Sequence, residues 1–247
     1  MIVTELYDGE IELVFDEAKH RYLVDGKYVP GVTTALGVIN KPALIPWAVN
    51  KATKYIEDRI TPGVALDEVE IDSMLRKAKW AHKDFTDEAA TMGTKVHQYI
   101  ESSMRGFAPM MPTNTKMRRA IKQFHEFWDE ADIEVIDIEK PVYSREYGYA
   151  GTYDLKCKLN GKLTVLDWKT GSGIYDTHIL QGGAYAQADA EETGDEIEQI
   201  AVVNCSVKAP FRVYTTTKVN EAIEGYNTAY RLGQLMKNVR EDLERNK

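Results

Sequence analysis

Apolar and polar positions alternate with the two-residue period of half-buried strands in two parts of this chain, and between them they recur at helical spacing. Residues 11 to 30 carry Leu13, Phe15, Tyr22 and Val24 among polar neighbours, with Asp25-Gly26 as a turn, and predict a small β-meander. Thr33 or Thr34 is placed to cap a short first helix. A longer helix follows Pro42. It carries Trp47, Ala48, Ala52, Tyr55 and Ile56 on one stripe, and Pro62-Gly63 ends it. Residues 67 to 83 predict another helix, and about Thr86 to Arg105 a long one. Beyond the loop from Gly106 to Thr113, a helix from Asn114 to Trp128 turns Met117, Ile121, Phe124 and Trp128 inward.

The strongest strand signal lies further on. Residues 133 to 143 predict one strand, and Tyr149 to Gly171 predict a hairpin closed by Asn160-Gly161. Asn-Gly suits a type I′ turn, whose central residues both need positive φ. A helix from Tyr175 to Glu192 follows, then strands at about 197 to 207 and 211 to 217, then a helix from about Asn220. This order implies an α/β fold with a mixed central sheet flanked by helices.

The hairpin turn fixes the register, and the register brings chemistry together. Counting outward from Leu159 opposite Lys162 sets Asp154 opposite Asp167. Strict alternation groups Tyr153, Leu155, Cys157, Thr164, Leu166 and Trp168 on an apolar face, and Asp154, Asp167 and Lys169 on the other. Facing carboxylates repel by roughly 4 kcal/mol at about 4 Å and an effective dielectric near 20. Lys169 compensates part of this, and a divalent cation bridging both carboxylates would compensate more. Carboxylate oxygens suit Mg²⁺ or Mn²⁺. An ordinary exposed hairpin with an Asp-Lys pair is the alternative.

Charge and cysteine content narrow the field. With 31 basic and 39 acidic residues the formal charge is −8, so any contact with DNA must come from local patches. One such patch is Arg76, Lys77, Lys79 and Lys83 around Trp80; another is Lys116, Arg118, Arg119 and Lys122 on the outer side of their helix. Cys157 and Cys205 form no CxxC, which excludes a disulfide framework, a zinc ribbon or a four-cysteine iron–sulfur cluster. No basic leader and no 18-residue apolar run is present, so an intracellular soluble protein with no membrane contact is expected.

Four short motifs then fall in order. Gly93, His97 and Glu101 are spaced four apart on one helix face. Gly151-Thr152-Tyr153-Asp154, Asp167-Trp168-Lys169-Thr170-Gly171 and Gln181-Gly182-Gly183-Ala184-Tyr185 follow. Together they resemble the GxxxHxxxE, GxxD, DxKTG and QxxxY motifs of RecB-like nucleases in the PD-(D/E)XK superfamily. The likeness spans about residues 93 to 185 and is nearest to phage-type and mitochondrial single-domain exonucleases.

The resemblance implies a fold and a set of roles. Residues 1–85 would form an N-terminal cap over a nuclease core at 86–247, as one compact unit. Asp154, Asp167 and the Trp168 backbone carbonyl would hold Mg²⁺ or Mn²⁺, with His97 completing the shell and Glu101 behind it. The metal would polarise the scissile phosphate and help generate hydroxide from a bound water. Lys169 would position that water and stabilise charge on the pentacoordinate phosphate. Gln181 and Tyr185 would orient Lys169 or the DNA backbone, and Arg118, Arg119 and Lys122 would contact phosphates. The implied activity is metal-dependent hydrolysis of DNA from single- or double-stranded ends. It would serve recombination, replication or degradation in the cytoplasm of a phage-infected or bacterial cell, with a recombination or helicase partner as a separate chain. A structure-specific endonuclease and a non-catalytic DNA-end or partner-binding module remain the alternatives. Polarity, strand preference and oligomeric state are left open.

Overall fold

A computed structural model describes residues Met1–Asn246. The chain divides into two compact units: Met1–Ile39 with the chain from Val96 onward, and Asn40–Lys95. The boundary expected at 85/86 does not coincide with this division, because the N-terminal strands share a core with the main sheet. Leu6, Leu13 and Val24 cluster with Ala150.

In the larger unit, four antiparallel strands come first: β1 (Ile2–Leu6), β2 (Ile11–Asp16), β3 (Arg21–Val24) and β4 (Lys27–Val29). The expected meander is therefore preceded by an extra strand, β1, whose alternation is too short to stand out. A short helix, α1 (Val32–Ala35), and a 3₁₀ turn (Leu36–Val38) follow. The main sheet has the order β5 (Ile133–Ser144), β6 (Tyr149–Leu159), β7 (Lys162–Lys169), β8 (Gln199–Asn204), β9 (Arg212–Thr216). Only β7 and β8 are parallel, so the sheet is mixed as expected.

The Asn-Gly turn forms as its sequence demands, with Asn160 at φ 51° and Gly161 at φ 78°. It sets the predicted register, from Leu159 opposite Lys162 to Leu155 opposite Leu166. Helices cover both faces of this sheet. Val96 and Ile100 of α4 (Ala81–Met104) and Ala120 and Phe124 of α5 (Thr115–Glu130) pack on Leu155, Cys157, Leu166 and Trp168. On the other face, α6 (Asp176–Thr193) and α7 (Val219–Arg245) bring Ala184, Tyr185, Tyr226 and Tyr230 against Tyr149, Tyr153 and Val165.

The face assignment from strict alternation is corrected at one residue. Tyr153 does not join Leu155 and Cys157. Tyr153 and Lys156 both reach Asp189 of α6, at 3.0 and 2.5 Å, although they are three apart and alternation would oppose them. The pairing of β6 with β5 keeps one register here, from Asp137 opposite Lys156 to Ser144 opposite Tyr149, so the change of side falls just past the point where the ladder with β7 ends.

Helix α6 is held close by residues without side chains. A Cβ on Gly183 would lie 2.5 Å from the backbone carbon of Ala222 in α7, and one on Gly182 would collide with Ile200 of β8. Gln181, Tyr185 and Asp189 are spaced one turn apart along α6, and all three are buried.

In the smaller unit, α2 (Leu44–Glu57) and α3 (Glu68–Ala78) precede the start of α4. Asp67 and Glu70 form a reciprocal cap at the head of α3. The helix expected over 67 to 83 is thus two helices, broken at Lys79–Trp80. Arg76, Lys77, Lys79 and Trp80 line a surface cavity with Tyr55 and Asp84, and Arg76 is paired with Asp72 at 2.5 Å.

Candidate metal centre

Three strands each contribute one carboxylate to a row across the sheet. Ser144 pairs with Tyr149, Lys140 with Tyr153 and Ile138 with Leu155, which carries Glu139 opposite Asp154. The hairpin register sets Asp154 beside Asp167, one step past the last pair, Leu155 with Leu166. Here β6 and β7 part. The Trp168 N–H donates to Asp154 Oδ2 at 2.7 Å, so a side chain takes the place of a ladder bond. Glu139 adopts φ 51°, a strained left-handed conformation for a residue of this kind.

His97 comes down onto this row from α4. Its Nδ1 lies 3.4 Å from Asp154 Oδ1. One side-chain ligand atom from each of His97, Glu139 and Asp154 lies within 4.8 Å of the other two. The Asp167 carboxylate lies outside this trio and pairs with Lys169 at 2.6 Å. Lys169 also donates to Gln181 Oε1 at 3.1 Å, and Gln181 Nε2 donates to the Tyr185 hydroxyl at 2.8 Å. The residues that sequence spacing singled out on β6, β7, α4 and α6 therefore converge at one end of the sheet.

The remaining candidates take other roles or positions. Glu101 is bound by Arg105 at 3.0 Å rather than by His97, and Arg105 also donates to the Ile138 carbonyl at 3.1 Å. Arg118, Arg119 and Lys122 line a separate shallow cavity on α5, where Arg119 donates to the Ala209 carbonyl at 3.1 Å. The Trp168 indole belongs to the core, edge-on to Phe124 at 5.3 Å, and only its backbone is at the site.

Sequence reasoning missed Glu139. A readable signal existed: had the turn between Ser144 and Tyr149 been used to count back, 139 would have fallen opposite 154. Its left-handed backbone has no signature in the sequence.

Burial and close like charges set the electrostatics of this cluster. Burial favours the neutral imidazole of His97, but Asp154 and then Asp167 outweigh it and hold the imidazolium up to about 9. Burial also works against charge on Asp154, yet His97, Lys169 and the Trp168 N–H leave it below the usual carboxylate range. Burial and the neighbouring Asp154 push Glu139 up to about 8. Burial raises Asp167 to about 6, against the pull of Lys169. For Lys169 itself, burial is overcome by Asp167 and Asp154, and its ammonium is held above the ordinary lysine value. The row thus keeps protons at neutral pH to offset its own negative charge. One imidazole nitrogen among carboxylate oxygens is a donor set that fits Mn²⁺ or Mg²⁺.

His97 and Glu139 both titrate above neutrality, so both carry protons at pH 7, and a ligand must be deprotonated to coordinate. Cation binding at pH 7 is expected to release close to two protons, and affinity should rise as pH increases towards about 9. Calorimetric Mn²⁺ titration in two buffers of different ionisation enthalpy reads the number directly. No release would mean that these two groups stay out of the shell.

No protein-family profile matches the sequence, and no curated protein matches it. Among solved structures, a candidate exonuclease from Eubacterium rectale superposes with a TM-score of 0.41 at 13% identity, covering 61% of this chain and 68% of its own. An alkaline exonuclease from Laribacter hongkongensis gives a TM-score of 0.33 at 8% identity, covering 86% and 93%. Among the described residues, no helix is long and apolar enough to cross a membrane.

Proposed function

We propose that this chain is a deoxyribonuclease of the PD-(D/E)XK kind that hydrolyses DNA from its ends with Mg²⁺ or Mn²⁺. The observation that carries this reading is the row Glu139–Asp154–Asp167, met by His97 at one side and by Lys169 at the other. Asp154, Asp167, His97 and the Trp168 carbonyl hold the cation, with Glu139 as a further oxygen donor. The cation, when bound, supplies Lewis-acid polarisation of the scissile phosphate and a water of lowered pKa.

The protein's own groups do the rest. Lys169 stays an ammonium at neutral pH, so it stabilises developing negative charge on the phosphate and orients the attacking water; it is not the base. Gln181 fixes the Lys169 side chain, and Tyr185 fixes Gln181. Arg118, Arg119 and Lys122 are available to more distant phosphates of a long substrate. The same reading assigns the protein to DNA recombination, replication or degradation in a bacterial or phage-infected cell, acting beside a recombination or helicase protein.

The test is hydrolysis of linear and covalently closed circular DNA with Mg²⁺, Mn²⁺ or a chelator. Linear DNA should be degraded with either metal, spared with chelator, and degraded in preference to circles. Rapid cleavage of closed circular single strands would instead identify an endonuclease. Failure to cleave any DNA while still binding it would identify a non-catalytic module.

A further inference from the structure

One face of the N-terminal sheet reaches beyond the core that it helps to form. Ile2 pairs with Phe15, Phe15 with Tyr22, and Tyr22 with Val29, so these side chains share a face. Further along that face, Leu6, Leu13 and Val24 are buried against Ala150. Its other end lines a cavity of about 640 Å³ whose opposite wall is Glu139, Gly151, Thr152 and Tyr185. The cavity therefore joins an aromatic surface to the carboxylate row.

The aromatic surface is ordered. The Phe15 and Tyr22 rings lie 4.8 Å apart at 36°, and His20 stands edge-on to Phe15 at 5.2 Å. Tyr22 shares a hydrogen bond of 3.1 Å with Thr152, which fixes its ring. Burial alone does not explain this end of the face. Phe15 and Tyr22 are only partly buried, and Ile2 is 49% exposed.

We propose that the Phe15–Tyr22 surface is a stacking platform for an unpaired nucleobase, so that the end presented to the carboxylate row is single-stranded. This rests on the nuclease reading above. The cavity has the volume of a small-ligand site, which suits one or two nucleotides and not a duplex about 20 Å across. A base has a π-face for the rings, and its phosphate then lies towards the cation-holding row. Stacking on aromatics is tolerant of sequence, so the platform would grip any base.

The experiment uses the full chain carrying Lys169→Met, so that substrate survives, and fluorescence anisotropy with a labelled 12-nucleotide single strand in Mn²⁺. Two further strands carry abasic residues at the two terminal positions of one end or the other. One of these should bind about tenfold more weakly than the intact strand. Phe15→Leu keeps the apolar volume and should weaken the intact strand by a similar factor, with no further loss for the abasic strand. His20→Ala, at an exposed position, serves as a second variant should Phe15→Leu unfold; it should lower affinity for the intact strand and shrink the abasic difference. Equal affinity for intact and abasic strands overturns the platform while leaving the nuclease reading in place, and so does an abasic defect unchanged in these variants. Absence of binding by every strand, together with no cleavage by the unmodified protein, overturns both.

Discussion

Lys169→Met is expected to slow DNA hydrolysis on the order of 10³-fold, comparable to removing a charge-stabilising donor from an active site. Its Nζ sits between Asp167 at 2.6 Å and Gln181 at 3.1 Å, so the ammonium is both held and aimed. Methionine keeps the length and loses the charge. Asp167 then loses its pair, and its carboxyl, already raised to about 6, rises further and takes up a proton in place of the salt bridge. The fold should therefore survive, and DNA binding should change far less than the rate. Single-turnover hydrolysis of linear DNA at saturating protein separates the two. A loss of less than tenfold would remove Lys169 from the chemistry.

Gly151→Ala is expected to damage stability and rate together. The new methyl would lie 2.6 Å from Tyr185 Cε1 and 2.9 Å from Val32 Cγ2, so one or both of these buried side chains would have to shift. Overpacking of this kind costs about 1–3 kcal/mol, which for a unit of this size lowers the melting temperature by roughly 2–12 °C. The rate should fall by more than the loss of folded protein explains, because Tyr185 steadies Gln181 and Gln181 steadies Lys169. Tyr185→Phe deletes only the hydroxyl and should reproduce part of the rate loss without the instability. Gly37→Ala, where an added Cβ meets nothing within 4 Å, is the control and should leave both unchanged. Gly151 is thus the position in the Gly-Thr-Tyr-Asp stretch where absence of a side chain is a steric requirement, not a turn preference.

Local rules carried much of the fold into view. The Asn160-Gly161 turn fixes a register, and a register is a count, so the approach of Asp154 to Asp167 followed from the sequence. Helical periodicity located α2 and α5 because each turns an apolar stripe inward, half-buried at Trp47, Ala48, Ala52, Tyr55 and Ile56 in α2 and buried at Ile121 and Phe124 in α5. The approach of His97 to Asp154 rested on motif spacing, since nothing near residue 97 specifies contact with a strand more than fifty residues away. What stayed hidden depends on tertiary context. Tyr153 turns towards Asp189 just past the point where β6 leaves β7, and a period-two pattern carries no mark of such a departure. The break at Lys79–Trp80 lacks Gly or Pro to announce it. Glu139 was hidden twice, by a turn not counted and by a backbone conformation that its residue type does not favour.

The central claim is that a divalent cation binds where His97, Glu139 and Asp154 meet. Calorimetric Mn²⁺ titration of the unmodified protein beside Asp154→Asn and His97→Ala tests it most directly, with melting temperatures in chelator to show that each variant is folded. The account predicts a site in the unmodified protein whose affinity falls at least about tenfold in each variant. Equal Mn²⁺ affinity in all three folded proteins would contradict it.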